Sequence, residues 1–115
     1  ATWCHPCIED FKYKSSIQPY RDSLELEMLY ISIDKPEWDD RWRQSIKINQ
    51  LEGYHFRANN KFIIDMWSTI GDWQGAIPRY VLIDKKGNIF KSTAARPSMG
   101  KELSSQITEL ISKLE

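Results

Sequence analysis

Trp3-Cys4-His5-Pro6-Cys7 holds both cysteines of the 115-residue chain and one of its two histidines. Two cysteines separated by two residues can close a disulfide across one helical turn, provided the first sits just before a helix and the second inside it. Pro6 supports that placement. Its missing N–H costs nothing in a first helical turn, and its fixed φ is already helical. A helix is therefore expected to begin at His5 or Pro6, with the Cys4 sulfur beside N–H groups that lack partners within the helix and near the positive end of its dipole. Such surroundings favour the thiolate, and Cys-X-X-Cys motifs commonly lower the pKa well below the free value of about 8.5. His5 adds to that effect only when its imidazole is protonated. Cys7, deeper in the helix, is then the resolving thiol.

Three plainer explanations compete. A structural zinc site needs about four ligands, and only Cys4, Cys7, His5 and the distant His55 are on offer; no metal is expected. A purely structural disulfide between positions four and seven would close almost no loop, whereas cross-link stabilisation grows with loop length. Coincidence is the objection to any bare C-x-x-C, and it is answered only by the rest of the chain.

The five residues resemble the W-C-x-P-C active site of the thioredoxin superfamily, and the preceding Ala1-Thr2 is similar to the TlpA-like, or ResA-like, branch of extracytoplasmic thiol-disulfide oxidoreductases. The resemblance implies that Cys4 attacks the partner disulfide and Cys7 resolves the product, with Trp3, His5 and Pro6 supporting them. It also implies a buried strand running directly into the Trp3 turn. That strand is missing ahead of Ala1, so the chain reads as a fragment of a longer precursor whose upstream part carried the export signal. A gap in the middle of a sheet leaves unpaired backbone groups that invite pairing with another chain. Strand swapping into a dimer is one expected outcome.

Length leaves room for one domain, residues 1–115, with one core. Lys plus Arg equals Asp plus Glu at 16 each, so nothing argues for nucleic acid or an anionic membrane as a partner. No apolar run approaches the roughly 20 residues needed to span a bilayer.

After the motif, Ile8 and Phe11 are spaced to share a buried helical face, while Glu9, Asp10, Lys12 and Lys14 suit solvent. Asp10 has a second reading. It follows Cys7 by three residues, where TlpA-like proteins often carry a Glu near the buried thiol, and the resemblance gives it a part in proton movement. Pro19 is expected to kink or end this helix. Leu24 to Asp34 passes from alternation to a continuous apolar run over 28–31, as in a strand buried on both faces of a parallel sheet. Asp34 then looks like a helix cap, with Pro36 in the first turn. Trp38, Trp42 and Ile46 recur at helical spacing and form a core stripe ending before Gly53. Residues 54–58 suggest an edge strand, with His55 structural. Phe62, Ile63, Met66, Trp67 and Ile70 make a second stripe ending at Gly71, and Trp67 and Trp73 are candidates to reach the dithiol.

The second strong signal is Ala76-Ile77-Pro78-Arg79-Tyr80-Val81-Leu82-Ile83-Asp84, followed by Lys85-Lys86-Gly87-Asn88 and Ile89-Phe90. A proline at a strand entrance, a buried strand, a Gly-Asn turn and a return strand describe a hairpin. The resemblance implies that Pro78 is the cis-proline lying against the cysteines and that Ile77 offers its backbone to an extended substrate. Residues 93–98 resemble a loop on the active-site face of some TlpA-like proteins. Leu103, Ile107, Leu110, Ile111 and Leu114 then mark a last helix capped by Ser98.

These elements and the resemblance together imply an α/β chain with a thioredoxin-like three-layer α/β/α sandwich and a mixed central sheet. The implied function is disulfide exchange with protein thiols and disulfides, fed by an upstream thiol reductant or oxidant, in the periplasm or cell envelope of a bacterium. No bound cofactor is needed beyond the Cys4–Cys7 disulfide. Two rivals stay open. A peroxiredoxin-like peroxide reductase would need a T-x-x-C element, which is not found. A thioredoxin-fold binding module with an inactive dithiol would show ordinary thiols and no exchange.

Overall fold

The structure is a computed structural model that describes residues 1–23 and 25–113. Helices and strands are mixed along the chain in the order α1 (His5–Phe11), α2 (Gln18–Asp22), β1 (Leu29–Ser32), α3 (Asp39–Ile48), β2 (Tyr54–Arg57), α4 (Asn60–Ile70), β3 (Leu82–Ile83), β4 (Ile89–Lys91) and α5 (Lys101–Lys113). The arrangement is α/β. Two compact units share these elements: Ala1–Ile8 with Glu27–Ile77 form the first, and Glu9–Leu26 with the stretch from Pro78 onward form the second.

In the first unit β1 and β2 pair in parallel, with Leu29 opposite Tyr54 and Ser32 opposite Arg57. A parallel pair needs a crossover, and α3 supplies it. Backbone bonds from Tyr54 N–H to the Met28 carbonyl (2.9 Å) and from Ala58 N–H to the Ser32 carbonyl (2.8 Å) extend the ladder at both ends. Gly53 makes that approach feasible. Its φ is +140°, and a Cβ there would lie 2.6 Å from the Met28 carbonyl oxygen.

Trp38, Trp42 and Ile46 are half-buried on one side of α3, whereas Arg41, Arg43, Gln44 and Lys47 are exposed. Asp39, in its first turn, accepts hydrogen bonds from Arg43 (2.7 Å) and Arg57 (3.0 Å), which ties α3 to β2. α4 ends at Gly71 as expected, with φ +83°, and at its start the Asn59 side chain accepts from Phe62 N–H at 2.8 Å. Ile63, Met66, Trp67 and Ile70 are half-buried, but Phe62 in the first turn is exposed.

The second unit contains the expected hairpin. β3 and β4 pair antiparallel, and Asp84 organises the turn by accepting from the backbone N–H groups of Lys86 and Asn88, each at 2.9 Å. In α5, Leu103, Ile107 and Leu110 are buried and Ile111 is half-buried. Leu114, like Leu24, falls outside the described residues.

Several expectations are corrected. The described strands pair as two separate two-stranded sheets, one parallel and one antiparallel, rather than as one mixed central sheet. A strand pair offers too little surface to cover both faces, so β1 runs from exposed Leu29 to buried Ser32, and β3 buries Leu82 while exposing Ile83. Pro19 does not end a helix. It occupies the first turn of α2, where its missing N–H is harmless. Ser98 lies inside a short 3-10 turn, Pro97–Met99, and it is the Gly100 carbonyl that accepts from Ser104 N–H at the start of α5.

Candidate active site

Cys4 and Cys7 form a disulfide with their Cα atoms 5.3 Å apart. α1 begins at His5, as Pro6 demands, and its first intrahelical bond runs from Ile8 N–H to the Cys4 carbonyl (3.2 Å). Cys4 is therefore the residue that caps the helix, and its Sγ accepts the Cys7 N–H at 3.3 Å. With only seven residues, α1 has a short dipole, and this N–H···S contact is placed to support negative charge on Cys4 if it persists once the bridge is reduced. Trp3, His5 and Pro6 are all exposed around the bridge. The two cysteines are not: 4% of Cys4 and 8% of Cys7 is accessible, so exposure does not mark one as the attacking thiol.

The approach to Cys4 is fixed by a turn in which Cys4 N–H donates to the Ala1 carbonyl (3.1 Å). Thr2, in the middle of that turn, donates its N–H to both carboxylate oxygens of Asp34 (3.0 and 3.1 Å) and its Oγ1–H to Oδ1 (2.7 Å). Asp34 also accepts Ser32 Oγ–H at 2.6 Å and donates its own N–H back to that oxygen at 2.9 Å. Asp34 is only 1% exposed. The expected role as a helix cap is thus corrected: the residue before the Pro36 turn is Lys35, with no side-chain cap, and the Asp34 carboxylate is taken up by Thr2 and Ser32.

Burial pushes the Asp34 carboxyl up, but the hydrogen bonds from Ser32 and Thr2 outweigh it and hold the group below its usual range. A carboxyl depressed in this way stabilises the fold above its unfolded pKa of about 3.9, and that contribution is lost as pH falls through the folded value. Unfolding free energy is therefore expected to drop below about pH 4, with a shallower slope in Asp34→Asn. Denaturant titrations from pH 6 to pH 2 that give the two proteins equal slopes contradict this assignment.

Asp10, three residues beyond Cys7 on α1, is buried rather than on the surface. Its Oδ2 lies 3.6 Å from Nε of Arg96, an ion pair slightly longer than a hydrogen bond, and neither atom has a hydrogen-bond partner among the described residues. Arg96 belongs to the 93–98 loop, whose Ala94, Ala95 and Pro97 are buried. Ile77 and Pro78 are half-buried in the loop ahead of β3. His55 is structural: its ring stacks on Tyr30 at 4.7 Å, and Nε2 lies 2.8 Å from the Leu51 carbonyl. Trp73, 89% exposed, does not pack over the dithiol, and Trp67 abuts Gly75, where a Cβ would come within 3.1 Å of the indole.

Among the described residues no group of three or more His, Cys, Asp or Glu side chains is placed to hold a metal ion, and no helix is long and apolar enough to cross a membrane. Thr2, Ser32, Asp34 and Arg96 are the residues that sequence reasoning missed. The available signal was Ser32-Ile33-Asp34, two short polar side chains spaced to hydrogen-bond each other at the end of an apolar run.

Comparison with protein-family profiles, with curated proteins and with solved structures finds no match to this chain.

Proposed function

We propose that the protein is a thiol-disulfide oxidoreductase of thioredoxin-like type, acting on protein partners through Cys4 and Cys7. The observation that carries this reading is the Cys4–Cys7 bridge at the start of α1, with the Cys7 N–H on the Cys4 sulfur. The W-C-H-P-C motif and the Ile77-Pro78 dipeptide support it by resemblance, and an extracytoplasmic location belongs to the same proposal.

In the reducing direction the Cys4 thiolate attacks one sulfur of a partner disulfide. The partner's second sulfur leaves as a thiolate and takes up a proton. Cys7, deprotonated, then attacks the Cys4 sulfur of the mixed disulfide, releasing the first partner sulfur. Two electrons pass to the partner, and Cys4–Cys7 is left oxidised. The reverse sequence oxidises a partner dithiol.

The covering of both cysteines favours a second reading, a binding module whose dithiol does not turn over. Redox equilibration in glutathione or dithiothreitol buffers, with free thiols alkylated and counted by mass, tests the first. Both cysteines are expected to titrate together as one two-electron couple. A midpoint near or below about −250 mV identifies a reductase, and one near about −120 to −180 mV an oxidase or isomerase. Failure to form a Cys4–Cys7 disulfide at any poise overturns the proposal. A normal titration without exchange on a protein disulfide selects the binding module.

A further inference from the structure

The buried carboxylate of Asp34 has no part in the exchange chemistry, yet it receives three hydrogen bonds from Thr2, which stands two residues ahead of Cys4. We propose that Asp34 is a positioning residue for the dithiol: it clamps the Ala1–Cys4 turn so that the Cys4 sulfur stays on the Cys7 N–H. This rests on the reading of Cys4 and Cys7 as a working dithiol.

β1 fixes Ser32, whose backbone carbonyl is bound by Ala58 N–H at 2.8 Å. The Ser32 hydroxyl orients the Asp34 carboxylate from one side, at 2.6 Å, and the Asp34 N–H returns to the same oxygen. The carboxylate then holds Thr2 by backbone and side chain together, which leaves the turn no freedom to rotate about Thr2. Cys4 N–H closes that turn on the Ala1 carbonyl. Cys4 enters α1 with its Sγ 3.3 Å from the Cys7 N–H. Every link lies within the first unit. Once the bridge is reduced the disulfide no longer restrains Cys4, and reduction is the state in which its sulfur must be aimed. Thr2 makes three hydrogen bonds to Asp34, and a buried hydrogen bond left unmade is costly, so the clamp is strong enough to hold a short turn.

The readout is the alkylation rate of reduced Cys4 by iodoacetamide at pH 7, resolved from Cys7 by peptide mass. Asp34→Ala removes the clamp and is expected to slow Cys4 about tenfold, the size of one buried hydrogen bond left unmade. Asp34→Asn keeps an acceptor for Thr2, and its amide can donate to the Ser32 hydroxyl; its rate is expected within about twofold of wild type. A folded Asp34→Ala protein that reacts at the wild-type rate overturns the proposal. So does an Asn variant as slow as the Ala variant, which would make the charge rather than the clamp responsible.

If Asp34→Ala does not fold, Thr2→Val against Thr2→Ser decides. Valine deletes only the 2.7 Å bond and is expected to slow Cys4 about threefold, while serine retains the hydroxyl and the rate. Equal rates for both again overturn the proposal. Exchange of wild type with a protein disulfide is followed in parallel. Alkylation requires only a thiol, so loss of exchange with the rate pattern intact would sink the oxidoreductase reading and leave the clamp standing.

Discussion

Serine in place of Cys4 is expected to abolish reduction of a protein disulfide, a loss of about a thousandfold or more, because a serine hydroxyl is not ionised near neutral pH and cannot form a mixed disulfide. Cys7→Ser is expected to fail differently. The first attack proceeds, but no thiolate remains to resolve the adduct, so the variant accumulates as a covalent complex with its partner. Non-reducing electrophoresis and intact mass distinguish the two. The assignment of roles needs this experiment, since both cysteines are buried to a similar degree and only the N–H···S contact at Cys4 separates them. Adducts accumulating in Cys4→Ser instead would reverse the roles, and turnover persisting in both variants would remove the dithiol from the mechanism.

The largest stability effect is expected at Ile107→Ala. Ile107 is 1% exposed and sits between Leu103 and Leu110 on the buried face of α5. Truncation removes apolar contacts and leaves a cavity that its neighbours fill only in part, at a cost of about 2–5 kcal/mol. Against a typical total of about 5–15 kcal/mol this is a large fraction. A urea titration is expected to show a lower midpoint with an unchanged slope. Ile64→Ala on the exposed side of α4 provides the contrast and is expected to shift stability by no more than about 0.5 kcal/mol. Comparable midpoints for the two variants would contradict the burial of Ile107.

Features set by neighbouring residues were legible in the sequence. Pro6 places the start of α1, Gly71 ends α4, the Gly-Asn turn joins the hairpin strands, and the spacing of Leu103, Ile107 and Leu110 marks the buried stripe of α5. Each depends on contacts within a turn or two. What stayed hidden depends on partners distant in the chain. Asp34 reads locally as a cap, because nothing adjacent reveals that Thr2 will claim its carboxylate. Asp10 reads either as a surface acid or, by resemblance, as an acid near the Cys7 thiol, and neither reading reveals that Arg96 is brought against it. The apolar run in β1 reads as doubly covered, but coverage is decided by how many strands pair beside it, and among the described residues β1 pairs with β2 alone. The same cause divides the expected single sheet in two.

The two compact units are interleaved along the chain, each assembled from two separated stretches, with the chain passing between them after Ile8, after Leu26 and after Ile77. Neither unit corresponds to one contiguous piece of gene. A recombination event that exchanges a single segment therefore cannot import one of them without residues of the other, and a cut after Leu26 leaves both short of residues. The dithiol lies on the short leading arm, Ala1–Ile8, whereas Ser32 and Asp34 lie on the long one. Grafting residues 3–7 alone onto another scaffold would carry over the two sulfurs and leave behind what aims them.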